Sequence, residues 1–167
     1  MPIVVQENEK IRTNRKRLLA IKDFLILYKT LNKKDQLFLE SLATEYNINT
    51  LNKHKIDIIA ILLESLDVIP NSIVLAQAAN ESGWGTSRFA TEFNAFFGEY
   101  TFDTRHGVVP TYRDNGEKYL IKFFSAVNES VGSYFRNLNT HPAYKEFRET
   151  RKNLRENNLE IDPLTLI

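Results

Sequence analysis

Apolar positions recur at three- and four-residue spacing along the first third of the chain, and this spacing predicts amphipathic helices. Over about 9–31, Leu18, Ile21, Leu25 and Tyr28 share one face, while Lys and Arg residues fill the other. Lys33, Lys34 and Asp35 open a second helix carrying Leu37, Phe38 and Leu42, and a polar loop over 47–55 follows it. A third, apolar helix is expected over 58–66, with Asp57 as its cap.

Pro70 pushes Ile69 out of helical geometry, and Asn71 or Ser72 can cap a fourth helix that runs to about Ser82 and stops at Gly83. Ile73, Val74, Leu75, Ala76, Ala78 and Ala79 cover most of its circumference, so a buried central helix is expected. Gln77, Asn80 and Glu81 stand at i, i+3 and i+4, a single polar stripe that Trp84 extends if the helical turn persists. One polar stripe on an apolar helix is the pattern of a cleft wall.

After a short helix over about 87–93 the period changes. Phe97, Tyr100 and Phe102 precede a loop at Arg105-His106-Gly107; Val108, Val109 and Tyr112 then lead into Asn115-Gly116, a hairpin signal, and Tyr119, Ile121 and Phe123 alternate beyond it. This predicts a small β-hairpin inserted into a helical domain. Ser125 can cap a helix with Val127, Val131, Tyr134 and Leu138, and Thr140 or His141 before Pro142 starts another that lasts to about Glu156. Asp162-Pro163 reads as one more helix start, five residues from the last residue, which predicts a shortened final helix. The fold class is therefore α+β and predominantly helical, in one domain, with an N-terminal helical part over 1–56 and a core carrying the chemistry over 57–160.

Composition narrows the function more than the fold. The 167 residues are 43% hydrophobic and 26% charged, the range of an ordinary globular domain. Twenty-two basic against 21 acidic residues leave a net charge of +1, which argues against a nucleic-acid partner. Without cysteine there are no disulfides, thiolate metal sites or thiol nucleophiles. His54, His106 and His141 lie far apart without metal-ligand spacing, so neither a metal nor a cofactor is expected, and a monomer is the default. The first residues have neither a basic nor an apolar signal region, and no stretch is long enough to cross a bilayer; for an exported protein the signal is missing from this chain.

Glu81 is the leading candidate for chemistry. In the last turn of an apolar helix, burial and the negative end of the helix dipole both disfavour its charged form, which suits a carboxylic acid that delivers a proton to a glycosidic oxygen near neutral pH. The plainer alternative is a helix-terminal Glu turned to solvent. Gly83 and Gly85 let the backbone turn sharply around Trp84, whose indole face can stack on a sugar ring or simply join the core. Asp114 and Glu117 flank the tight turn of the hairpin, where such residues usually form turns; they are the candidates for a second carboxylate.

The run Leu75-Ala76-Gln77-Ala78-Ala79-Asn80-Glu81-Ser82-Gly83-Trp84-Gly85-Thr86-Ser87-Arg88-Phe89-Ala90 resembles the N-acetylglucosaminidases of glycoside hydrolase family 73, related to flagellar and autolysin hydrolases, and within them the Bax-like branch. Asn94-Ala95-Phe96-Phe97-Gly98 is similar to the family's Asn-Asn-Leu-Phe-Gly, and a third match ends in Asn137-Leu138-Asn139-Thr140-His141-Pro142-Ala143-Tyr144. The resemblance implies a lysozyme-like fold, cleavage of the β-1,4 bond after N-acetylglucosamine in peptidoglycan glycan strands, and action in the cell envelope. It maps the general acid onto Glu81 and an active-site tyrosine onto Tyr134, with Gln77, Asn80, Trp84, Asn94 and Phe97 as candidate substrate contacts. Periodicity alone makes Tyr134 a core position. Two departures stand out: Ala95 replaces the second Asn, and no hairpin Glu matches the family's water-activating residue. Participation by the substrate's N-acetyl group is then the remaining route, with Tyr134 orienting it. A lytic transglycosylase on the same glycan and a non-catalytic wall-binding module are the alternatives.

Overall fold

Side-chain caps mark several element starts in the computed structural model, which describes residues 2–110 and 116–166. The helices are α1 (Pro2–Tyr28), α2 (Lys33–Glu45), α3 (Lys55–Ser65), α4 (Asn71–Glu81), α5 (Arg88–Phe93), α6 (Val127–Thr140) and α7 (Lys145–Glu156); the strands are β1 (Tyr100–Thr101), β2 (Gly107–Val108) and β3 (Leu120–Lys122). Asn32 caps α2 by accepting from the Asp35 N–H, and Ser87 caps α5 by accepting from the Ala90 N–H. His141 caps the 3₁₀ turn Pro142–Tyr144, its Nδ1 accepting from the Ala143 N–H. The helix start expected at Asp162-Pro163 is a 3₁₀ turn, Pro163–Leu166, with Asp162 accepting from the Thr165 N–H and hydroxyl.

The expected helices form except the last, which is the 3₁₀ turn, and the one expected from Pro142 opens as a 3₁₀ turn before α7 begins at Lys145. Two further boundaries differ for physical reasons. Helix α1 begins at Pro2 rather than near Glu9, because Val4 and Ile11 prolong the buried stripe that Leu18 and Ile21 carry. Asp57 does not cap α3: the cap position is His54, without a side-chain hydrogen bond, and Asp57 lies in the first turn, where its charge suits the helix dipole.

The chain divides into two compact units. One comprises Met1–Val4 and Asn71–Phe135, the other Val5–Pro70 and Arg136–Ile167. In the second unit, α3 packs against α2 and α7, and Leu18, Ile21, Leu39, Leu42, Ile59 and Leu62 are buried. The segment between α3 and Pro70 has no ladder or helix to satisfy its backbone, and side chains do so instead. Asn8 donates to the Ile69 carbonyl at 2.8 Å and accepts from its N–H at 3.0 Å. Arg151, 0% exposed, donates to the carbonyls of Asp67 and Val68 at 2.9 and 3.1 Å and to Asn139 Oδ1 at 2.7 Å. Arg155 grips the Asp67 carboxylate with two hydrogen bonds, at 2.9 and 3.1 Å.

The first unit holds α4, α5, the strands and the start of α6. Ala95, Ile121 and Phe124 form its apolar cluster, with Phe89 and Phe93 packed against them. The strands form one antiparallel sheet in the order β1-β3-β2, with Tyr100 opposite Ile121 and Val108 also opposite Ile121. Gly107 lets β2 come close, since a Cβ there would lie 2.6 Å from Leu120 Cβ. The hairpin is therefore present as β2–β3, widened by β1; its expected Asn115-Gly116 turn lies partly outside the described residues, as does Asp114.

Helix α4 differs from expectation. Only Val74 among its residues is buried, and Leu75 is 41% exposed. The sequence pattern measures what a helix is able to bury, but Ala76, Ala78 and Ala79 carry one methyl each, so leaving them in water costs little.

Candidate active site

Glu81 is the last residue of α4, and the chain beyond it turns left-handed three times in succession: Gly83, Trp84 and Gly85 have φ of 57°, 59° and 77°. For glycine this is free, but for Trp84 it costs on the order of 1–2 kcal/mol. The turn is held by the Trp84 N–H donating to the Ala79 carbonyl at 2.7 Å, and by buried Ser82. Ser82 donates through its hydroxyl to the Ala78 carbonyl at 2.5 Å and accepts from the Gly85 N–H at 2.7 Å. Trp84 therefore does not extend the polar stripe of α4. It stands 86% exposed, neither core nor helix.

Gln77, Asn80 and Glu81 are all exposed on α4. The Glu81 carboxyl reaches back to Gly98, where a Cβ would lie 3.7 Å from its Oε2. Partial burial first, and the negative charge of Glu99 second, hold this carboxyl above the ordinary glutamate range. The direction matches the sequence reading, while the cause differs: α4 does not bury Glu81, and a second carboxylate contributes.

Glu99 is that carboxylate, and no sequence motif pointed to it. Its Oε2 accepts from Ser133 Oγ at 2.8 Å, and Ser133 accepts in turn from Lys122 Nζ at 2.7 Å. Glu117, by contrast, is exposed ahead of β3, and it is Glu99 whose charge reaches Glu81.

Phe97 and Tyr134 are brought together, their rings stacked with centroids 4.0 Å apart and planes 14° from parallel. Both are buried, Tyr134 on α6 next to Ser133. Asn94 ends α5 at φ 52°, and its amide donates to the Phe124 carbonyl at 3.1 Å, tying that helix to the end of the sheet. Ala95 sits in the apolar cluster, its N–H donating to the Phe89 carbonyl, which suits a methyl better than a second amide. Tyr100 and Phe102, which alternation had marked only as strand positions, are 67% and 77% exposed directly after Glu99. Exposure of large aromatics beside a carboxylate pair was not legible from their spacing.

Among the described residues, no group of three or more His, Asp or Glu is arranged to hold a metal ion, and no helix is long and apolar enough to cross a membrane.

No solved structure matches the chain. Over 106 residues it is 43% identical to the protein bax of Escherichia coli strain K12, an alignment covering 64% of this chain and 37% of that protein, so the match spans little more than a third of the relative's length. Residues 57–161, which include the whole cluster around Glu81, match the glucosaminidase family, described as mannosyl-glycoprotein endo-β-N-acetylglucosaminidase. The chain, with its helical α+β fold and small sheet, thus belongs to the glucosaminidase family of glycan-cleaving proteins.

Proposed function

We propose that the chain is a peptidoglycan hydrolase that cuts the β-1,4 bond after N-acetylglucosamine in the cell envelope, with Glu81 as the general acid. The observation that carries this reading is the Glu81 carboxyl at the end of α4, beside Gly98, where partial burial and the Glu99 charge raise its affinity for a proton above the ordinary glutamate range. Exposed Trp84, Tyr100 and Phe102 offer flat apolar faces to sugar rings, and Gln77 and Asn80 offer amides on the same side of α4 as Glu81.

In this mechanism Glu81 gives its proton to the glycosidic oxygen as the bond to the anomeric carbon breaks. The carbonyl oxygen of the substrate's own N-acetyl group bonds to that carbon, and Tyr134, stacked on Phe97, orients the group. Water then attacks the same carbon as its bond to the N-acetyl oxygen breaks, and gives its proton to the Glu81 carboxylate, which restores the acid, frees the N-acetyl group and leaves a reducing end. Glu117 on its exposed segment, and Asp114 outside the described residues, are not needed in this scheme.

Digestion of purified murein, with the new ends identified by mass spectrometry, tests the reading. Reducing N-acetylglucosamine ends are expected, and Glu81→Gln removes them while the thermal transition is retained. Muramic acid ends or 1,6-anhydro sugars would sink it, the latter in favour of a lytic transglycosylase; retention of murein without cutting would make the chain a binding module.

A further inference from the structure

Glu99 is more firmly built in than a surface carboxylate. Its side chain is 14% exposed, its backbone carbonyl accepts from the Lys122 N–H at 2.7 Å, and its Oε2 takes the Ser133 hydroxyl at 2.8 Å. Lys122 Nζ donates to that same hydroxyl and stands 3.9 Å from Glu99 Oε2. The chain Lys122 to Ser133 to Glu99 thus runs from β3 through α6 to the segment entering β1, with every donor aimed one way. Gly98, immediately before Glu99, is the residue against which the Glu81 carboxyl lies.

We infer that Glu99, fixed by Lys122 and Ser133, is a positioning residue for the proton of Glu81: a stationary anion that keeps the acid loaded until a glycosidic oxygen is in place. The inference rests on Glu81 being the proton donor. Two carboxylates in one site resist ionising together, so an anion at Glu99 favours the protonated form of its neighbour. Lys122 limits this effect, because its positive charge offsets part of the Glu99 field. The same repulsion returns the proton in the second half of the cycle, when ionised Glu81 faces Glu99 and water is the available donor.

Among the described residues, Glu99 is the charge that acts on Glu81. On α4, Gln77 and Asn80 are neutral; on α5, Arg88 and Glu92 pair with each other; and Asp103, Arg105 and His106 pair with one another on an exposed loop.

The test is the pH profile of kcat on murein, together with a carbon-13 NMR titration of the Glu81 carboxyl, for the whole chain and three variants. Glu99→Gln removes the anion and moves the alkaline limb to lower pH. Lys122→Met removes the offsetting cation and moves it to higher pH. Glu92→Gln, an equal charge change on exposed α5, leaves the limb in place. Above the limb, each unit of displacement changes kcat about tenfold, because the protonated fraction of an acid changes by that factor.

A merely structural role for Glu99 lowers kcat at every pH without moving the limb. That result, or displacement of both variants in one direction, overturns the inference. If Glu99→Gln does not fold, Lys122→Met still decides it through the NMR titration, since its Glu81 midpoint must move to higher pH. Should the chain fail to cut murein while the Glu81 titration shifts as described, the proposed function falls and the catalytic role of Glu99 falls with it, leaving only the coupling between the two carboxyls; if murein is cut and the titration does not shift, the inference alone falls.

Discussion

Glu81 carries a thermodynamic cost that its own substitution reveals. The fold holds its carboxyl above the ordinary range, so the folded state binds the proton more tightly than the unfolded chain does. Stability is therefore lost as pH rises past the unfolded glutamate range, and the loss is complete once Glu81 ionises in the folded state. Glu81→Gln, which cannot ionise, is expected to melt higher than the unsubstituted chain at neutral pH, and the difference closes near about pH 3, where both carry an uncharged side chain. A lower melting temperature for the variant at pH 7 would contradict this. Trp84 gives a second residue-scale prediction. It is the single tryptophan of the chain and 86% exposed, so emission reports on it alone. Chitooligosaccharide binding should shift that emission to the blue. Trp84→Gly should bind more weakly without losing thermal stability, since glycine adopts the left-handed conformation without the side-chain clash. A melting point several degrees lower would mean that the indole packs after all.

At the scale of elements, the three-stranded sheet depends on Gly107. A methyl there meets Leu120 Cβ at 2.6 Å and Thr101 at 2.8 Å, so β2, β3 and β1 would all have to shift. Gly107→Ala is expected to cost about 1–3 kcal/mol in denaturant unfolding, whereas Gly116→Ala meets nothing within 4 Å and is limited to the strain of its φ of 97°. The helices were largely legible in the sequence, because period and capping chemistry are local properties: His141 and Asp162 act where the pattern put them, although Asp57 does not cap α3. Two features were not. The exposure of α4 depends on which other elements cover it, and apolar spacing measures only what could be covered. Glu99 sits one residue past a recognisable motif, and its importance comes from Ser133 and Lys122, 34 and 23 positions away in sequence. Its pairing is tertiary, so no local signal announced it.

For the molecule as a whole, the weightiest structural commitment is the cationic knot around the segment that precedes α4. Arg151 is fully buried, and burial pushes its guanidinium down to about 10. It tolerates this by satisfying the carbonyls of Asp67 and Val68 and the amide of Asn139. Arg151→Ala would orphan those acceptors and is expected to cost about 3 kcal/mol or more, measured by chemical denaturation. Arg151→Lys should recover little, since one ammonium cannot span the same fork of acceptors. A near-neutral Arg151→Ala would show that water replaces the guanidinium. The sequence offered no hint of this knot, because an arginine inside an α7 otherwise rich in charge reads as solvated surface. The family fold was recoverable from three short runs, while the contacts that hold it were not.

The left-handed turn after α4 also bears on how this region can change over generations. At Gly83 and Gly85 there is room for a side chain, with the nearest atoms 3.6 Å from a new Cβ in each case, so only the backbone angle restricts them. Asparagine is the natural replacement there, because it tolerates that angle best among the other residues. Trp84 is under the opposite regime: its angle disfavours any large residue, and its surroundings leave it open to solvent. A library covering these three codons, sorted once for soluble expression and once for wall cutting, should return narrow tolerance at the outer two positions in both sorts. At the middle position the first sort should be permissive and the second strict. Adjacent residues of one turn would then answer to different selective demands.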